Sequence, residues 1–157
     1  MTDMKYGVTP REVVAEITGL ELLRGALEGR FPGAPIAQGM NFRFAEVEEG
    51  RVVFEGEPGP EHLNPLGSIH GGWVLTVIDS ACGCAAHSVL PAGVGYTTLE
   101  TKANFTRALK PNDGAVRTEG VVVSRGRTII TTEARVTDAE GRLVAHGTST
   151  LLVLRPR

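Results

Sequence analysis

The sequence of 157 residues is poor in aromatic side chains, at 5%, with one tryptophan, two tyrosines and five phenylalanines. A stacking platform for single-stranded nucleic acid is therefore not expected. No sign of charge dominates. Sixteen Lys and Arg face 18 Asp and Glu, which gives a net charge of -2 and a pI near 6.1. That balance argues against general nucleic-acid binding and leaves room for a local basic site. Cysteine is scarce, and Cys82 and Cys84 lie two apart in an apolar stretch. On a helix that spacing sends them to different faces, so buried thiols are expected and a disulfide is not. No set of His, Cys, Asp and Glu has metal-ligand spacing, and no Gly-x-Ser-x-Gly elbow occurs. Neither a metal nor a serine-hydrolase triad is expected. Met1 to Thr9 lacks a signal-peptide core. The longest apolar-rich stretch, Gly71 to Leu90, carries Asp79 and His87 and reads as a buried helix, not a membrane span. A cytoplasmic protein without membrane or nucleic-acid partners is the expectation.

What is present fits one domain over residues 1–157 with an ordinary apolar share of 41%. Thr9-Pro10-Arg11-Glu12 predicts a helix start with Thr9 as cap. Val13, Ile17, Leu20 and Leu27 mark an apolar stripe, and Thr18-Gly19-Leu20-Glu21 repeats the capping pattern, where the helix is expected to break and restart. Arg30 to Gly39, with Pro32, Gly33 and Pro35, reads as a loop. Alternation around Met40, Phe42 and Phe44, then Val52 and Phe54, predicts a hairpin turning at Glu49-Gly50. A proline- and glycine-rich loop, Glu57 to Ser68, precedes a helix over about 70–89. Four strands follow, near 95–107, 115–124, 128–137 and 143–154, with hairpin turns at Ser124 to Arg127 and Asp138 to Gly141. A helix apolar nearly all round must be covered on most sides. The expected fold class is α+β: a long central helix wrapped by a curved antiparallel sheet, with an N-terminal helical segment.

The chemistry concentrates between Asn64 and Asp79. Gly71 and Gly72 in the first helical turn cost near 1 kcal/mol each against alanine. They also let a ligand approach the unpaired N–H groups of a helix start, which favour negative charge. Their other reading is close packing on a neighbouring backbone. Asp79, among Trp73, Val74, Leu75, Val77, Ile78 and Ala81, reads as desolvated, a setting that raises a carboxyl pKa and suits a base or nucleophile. A structural pairing with another strand is the alternative. Asn64 could hold substrate or water, and His70 could cap the helix, bond a carbonyl, or help hold the substrate. His62, His87 and His146 read as surface or core. On strict alternation Thr98, Glu100, Lys102 and Asn104 share one strand face, with Thr98 turned away from its own helix.

Asn64-x-x-Gly67-x-x-His70-Gly71-Gly72, six residues and then Asp79, resembles the signature of PaaI-like hotdog-fold acyl-CoA thioesterases, within the 4-hydroxybenzoyl-CoA thioesterase superfamily. Thr98 to Arg107, Ser124 to Arg127 and Asp138 to Ala145 resemble later strands and hairpins of that family. The similarity covers about 36–154, leaving 1–35 as an N-terminal helical extension. The resemblance implies a hotdog fold and hydrolysis of an aryl- or medium-chain acyl-CoA without a cofactor. It implies homodimers with shared active sites, often paired again into tetramers. Asp79 matches the catalytic acid, Gly71 the N–H that binds the carbonyl oxygen, and Asn64 the residue holding water or substrate. Thr98 matches a hydroxyl near the attacking water. Asp79 and the glycine would come from different subunits. Gly72, Arg107, Arg125, Gly126 and Arg127, with Lys110, are candidates for holding coenzyme A, since Arg and Lys suit phosphate; a solvated strand end and turn is the alternative. Trp73 and the N-terminal helix are expected in the acyl pocket. A hotdog hydratase and a non-catalytic acyl-CoA-binding module are the competing functions.

Overall fold

Residues 5–156 are described by a computed structural model. The chain opens with helix α1 (Arg11–Glu16), breaks at extended Ile17, and restarts as α2 (Gly19–Leu27). The restart is capped as expected. Thr18 Oγ1 accepts from the Glu21 N–H at 3.2 Å, and the Thr18 N–H donates to Glu21 Oε2 at 2.8 Å. The first cap differs from expectation. Helix α1 begins one residue later, so Pro10 occupies the cap position and Thr9 makes no cap bond. The restart also changes the helix phase. Helix α2 buries Leu23 and Ala26, while Leu27 is exposed. The segment read as a loop over 30–39 contains a short helix α3 (Pro35–Gly39), for which Pro35 is well suited as first residue.

Strands β1 (Phe42–Glu48) and β2 (Arg51–Gly56) form the expected hairpin, with Gly50 at φ 78° in the turn. After a 3-10 turn at Pro60–His62 comes α4 (Gly71–Ser88), then β3 (Gly95–Phe105), β4 (Val116–Arg125), β5 (Ile129–Thr137) and β6 (Leu143–Leu154). The six strands form one antiparallel sheet in the order β1-β2-β4-β5-β6-β3. Helix α4 touches every strand and buries Trp73, Val74, Val77, Ile78, Ala81, Cys82, Ala85 and Ala86 against them. This is the hotdog arrangement.

The sheet closes around α4 because small residues face each other. A Cβ on Gly120 of β4 would overlap the Ala81 carbonyl, and one on Gly147 of β6 would overlap the Lys102 carbonyl of β3. Trp73 is sealed in this core at 2% exposure, its indole N–H donating to the Met40 carbonyl at 2.7 Å. His62 is a second latch. Its Nδ1 accepts from the Gly59 N–H at 3.0 Å, and its Nε2 lies 2.9 Å from the Gly39 carbonyl. No helix among the described residues is long and apolar enough to cross a membrane.

Replacing Gly120 with alanine should therefore cost about 1–3 kcal/mol through overpacking. The guanidinium unfolding midpoint should fall with an unchanged slope, and an unaltered midpoint would contradict the packing described.

Candidate active site

The start of α4 explains its two glycines separately. His70 is the N-cap, and its Nδ1 accepts from the Gly72 N–H at 2.8 Å. A Cβ on Gly72 would sit 2.9 Å from that nitrogen, so glycine makes room for the capping ring. The Gly72 N–H is thereby engaged. Gly71, the first helical residue, forms no hydrogen bond from its N–H among the described residues. It faces Phe105, whose ring would lie 3.4 Å from an added Cβ. Gly71, Phe105 and Arg107 line a common cavity of about 360 Å³.

Asn64 shapes the loop before the helix. Its Oδ1 accepts from the N–H groups of Leu66 at 2.9 Å and Ser68 at 3.3 Å, and its amide donates to Ser68 Oγ at 2.8 Å. Gly67 completes the turn at φ 83°. Within one chain the Asn64 side chain holds its own loop.

Asp79 lies about two turns further along α4, roughly 12 Å from Gly71 at 1.5 Å per residue. Its carboxylate is half-buried, more open than the apolar neighbours in sequence suggest. Thr98 Oγ1 donates to Asp79 Oδ1 at 3.1 Å and Thr101 Oγ1 donates to the same atom at 2.9 Å. Thr101 is backed by Ser149, whose Oγ is 3.0 Å away and also bonds the Glu100 carbonyl at 2.9 Å. Oδ2 of Asp79 has no hydrogen bond among the described residues.

Two threonines three apart cannot share a face in a regular strand. They do so here because the β3–β6 register shifts between Thr98 and Glu100, a bulge that turns Leu99 outward. Strict alternation placed Thr98 away from its own helix; the bulge reverses this and brings it onto Asp79. Thr101 and Ser149 were not singled out from the sequence, because their role depends on that extra residue.

Asp79 borders a second, mainly apolar cavity of about 390 Å³, with Phe44, Tyr96, Cys84 and the N-terminal helices among its walls. Burial pushes the Cys84 thiol up to about 12 and the Cys82 thiol to about 11. Both therefore stay protonated and are poor nucleophiles. Burial also raises the Tyr96 phenol and lowers His87, which packs on Tyr96 with ring centroids 5.5 Å apart. Trp73 does not line this cavity; within one chain the core and the Met40 carbonyl enclose it.

The basic candidates separate within one chain. Arg107 follows the C-terminal end of β3, beside Gly71. Arg125, Gly126 and Arg127 lie at the β4–β5 turn, where Ile129 pairs with Leu152 and Leu152 with Thr97 near the opposite end of β3. Gly126 closes that turn. Its N–H donates to the Ile129 carbonyl at 2.8 Å, and a Cβ would lie 2.7 Å from the same oxygen. Lys110 is exposed in a turn, its N–H held by Asp113 Oδ2 at 2.8 Å.

A buried helix wrapped by one antiparallel sheet defines a hotdog protein, and its relatives make it a thioester hydrolase. Residues 66–145 match the family described as the thioesterase superfamily, and the chain belongs to that family. A Saccharolobus solfataricus protein assigned by name to the esterases is 33% identical over 121 residues, covering 74% of this chain and 84% of that one. Human acyl-coenzyme A thioesterase 13 is 28% identical over 102 residues, covering 64% and 71%. A Streptococcus mutans structure bound to acetyl CoA superposes with a TM-score of 0.68 at 29% identity, covering 74% of this chain and 91% of that one.

The cap geometry generates a direct expectation. His70→Ala should lower stability by about 0.5–2 kcal/mol, and His70→Asn should recover most of it. Equal melting temperatures for the wild type and both variants would show that the ring does not cap.

Proposed function

We propose that the protein hydrolyses an acyl-CoA to the free acid and coenzyme A, in sites built from two copies of the chain. The observation that carries this reading is the Asp79 carboxylate, fixed through Oδ1 by Thr98 and Thr101, with Oδ2 unengaged among the described residues and beside an apolar cavity. A carboxylate held in that way is oriented for attack and keeps one oxygen for chemistry.

The second copy follows from distance. Gly71 supplies an available N–H at a helix start, the group that stabilises a developing oxyanion. Roughly 12 Å of helix separates it from Asp79 in the same chain, too far to act on one carbonyl. Strand β3 offers the remedy. It is an uncovered sheet edge with Leu99 at 55% and Phe105 at 54% exposure. Such an edge is a template for pairing. Asp79 sits beside the Thr98–Thr101 part of β3, and Gly71 beside Phe105. Two β3 edges paired antiparallel, with Phe105 of one opposite residues 99–101 of the other, bring Gly71 of one copy to Asp79 of its mate. The same pairing carries Arg107 of one copy towards the Arg125–Arg127 turn of the other, a basic surface for the nucleotide phosphates of coenzyme A.

In this site the thioester oxygen lies on the Gly71 N–H. Asp79 takes a proton from a water that attacks the carbonyl carbon, or attacks it directly, with hydrolysis of the resulting anhydride. The tetrahedral oxyanion collapses, the carbon–sulfur bond breaks, and the thiolate takes up a proton. Thr98, Thr101 and, behind them, Ser149 position the carboxylate. Asn64 and His70 position the helix start that presents Gly71.

Thiol release from an acyl-CoA panel tests the activity, with Asp79→Ala expected to lose about a hundredfold or more in turnover while staying folded. Coenzyme A thioesters bound by the wild type but never cleaved would end the hydrolase assignment. Gly71→Pro removes the N–H at a first helical position that tolerates proline, and should also be inactive. Refolding equal amounts of the two inactive variants together should restore activity in about a quarter of the sites, since symmetric pairing then makes mixed dimers with one intact site. Failure of the mixture to recover would place both groups in one chain's site.

A further inference from the structure

Behind the Asp79 carboxylate, hydrogen-bond contacts outnumber the hydrogens that can fill them. A hydroxyl carries one hydrogen and two acceptor lone pairs. Asp79 Oδ1 accepts from Thr98 at 3.1 Å and from Thr101 at 2.9 Å. A carboxylate oxygen only accepts, so the Thr101 hydrogen is committed to it. Thr101 Oγ1 also lies 3.0 Å from Ser149 Oγ, its cross-strand neighbour on β6. That contact can then be filled only by the Ser149 hydrogen. The same hydrogen fits a second acceptor, the Glu100 carbonyl, at 2.9 Å. It therefore faces two acceptors at nearly equal distances.

Ser149 is 1% exposed, which keeps bulk water from competing for its hydroxyl. The two acceptors differ in their dependence on Asp79. The Glu100 carbonyl makes no contact with the acid. Thr101 Oγ1 is polarised by whatever charge lies at the far end of its own O–H bond. Hydrogen bonds in a chain strengthen one another, and bonds to an ionised group are the strongest. Titration of other groups does not confuse this picture. Burial raises the Cys82 and Cys84 thiols of the same helix and the Tyr96 phenol of β3, so all three stay neutral. Helix α2 presents only Leu22, Leu23 and Ala26 to the cavity beside Asp79. Arg43 of β1, on the rim of that cavity, is paired with Glu55 at 3.4 Å and keeps its charge throughout the useful pH range.

We infer that Ser149 is a positioning residue whose hydrogen follows the charge on Asp79: it lies on Thr101 Oγ1 while the carboxylate is ionised, and on the Glu100 carbonyl once Asp79 has taken a proton or bonded to an acyl group. The inference rests on the reading of Asp79 as the reacting acid. In the first setting Ser149, Thr101 and Oδ1 form a chain that steadies the negative charge. In the second, Thr101 loses its donor and becomes a weaker donor itself. The change is a rotation about the Ser149 Cβ–Oγ bond, with no proton transferred and no heavy atom displaced. The relay thus favours the charged acid that each turnover must regenerate.

The test follows the Asp79 carboxyl by carbon-13 NMR in the whole chain grown with labelled aspartate, its signal identified by its absence in Asp79→Ala. Hydrogen bonds donated to a carboxylate favour the charged form, so losing one moves titration to higher pH. Thr101→Val should raise the midpoint by about one pH unit. Ser149→Ala should raise it by about 0.3 pH unit, the strengthening expected of one further bond in the chain. Ser149→Cys, with a weaker donor, should fall between wild type and Ser149→Ala, and it serves if the alanine variant does not fold. In a Thr101→Val background, Ser149→Ala should add nothing. Thr132→Val removes a hydroxyl that bonds the Ser149 carbonyl at 3.4 Å and should leave the midpoint where it is. Circular dichroism melting checks that each variant is folded. An unmoved midpoint in a folded Ser149 variant, or the same increment with valine at position 101, would overturn the relay. The acid limb of kcat/KM for thiol release should move to higher pH with the NMR midpoint. Shifted titrations in a protein that cleaves no acyl-CoA would sink the enzymatic reading and leave the relay standing; hydrolysis with unmoved titrations would do the reverse.

Discussion

Helix α4 approaches the sheet at distances that only glycine and alanine allow. Gly120 lies on the backbone at Ala81, and Gly147 lets β6 close on β3 beside Ile78. Ala81, Cys82, Ala85 and Ala86 are fully buried at this contact. Interiors are packed as densely as crystals, so such a contact fixes the helix in both translation and rotation. The position of Asp79 follows. Its carboxylate meets β3 where it does because the helix cannot turn on its axis without driving Ala81 into β4.

The second constraint is the bulge at Leu99. One extra residue in β3 turns Thr98 and Thr101 to the same side and exposes Leu99. The strand thus supplies two hydroxyls to one carboxylate oxygen and an apolar side chain to the outer edge. The helix start is arranged with similar economy. His70 takes the Gly72 N–H, Asn64 and Gly67 hold the loop before it, and the Gly71 N–H is left over. Seen this way, the glycine pair does not give two ligand-binding N–H groups. One glycine admits the cap and the other keeps its N–H available.

Much of this could be read from the residues. The apolar run ending before Pro91 is long enough for one helix and too evenly apolar to lie on a surface, which requires a sheet around it. The period-two strands, with turn residues at Gly50, Gly126 and Gly141, then give the hairpins. Asp79 stood out because a charged group inside such a helix demands a reason. What escaped the sequence depends on single-residue phase. The bulge has no local signal beyond an ordinary Thr-Leu-Glu, so alternation alone turns Thr98 from the helix and gives Thr101 no link to Asp79. Thr9 looked like a cap because a one-residue shift in a helix start is invisible to a motif. Trp73 has no sequence signal for the partner of its indole N–H. Only the fold shows that Met40 supplies the carbonyl.

The two walls around the Asp79 cavity come from stretches of chain far apart in sequence. The carboxylate and its hydroxyls belong to residues 79–101, while the opposite wall is drawn from within the first 37 residues. Substitutions in that leading segment can alter the shape of the space without moving the acid, the bulge or the capped helix start. The molecule is modular in this sense. The half that carries the carboxylate and the half that faces it can drift independently, so chains sharing the same helix and sheet need not share the shape of this space.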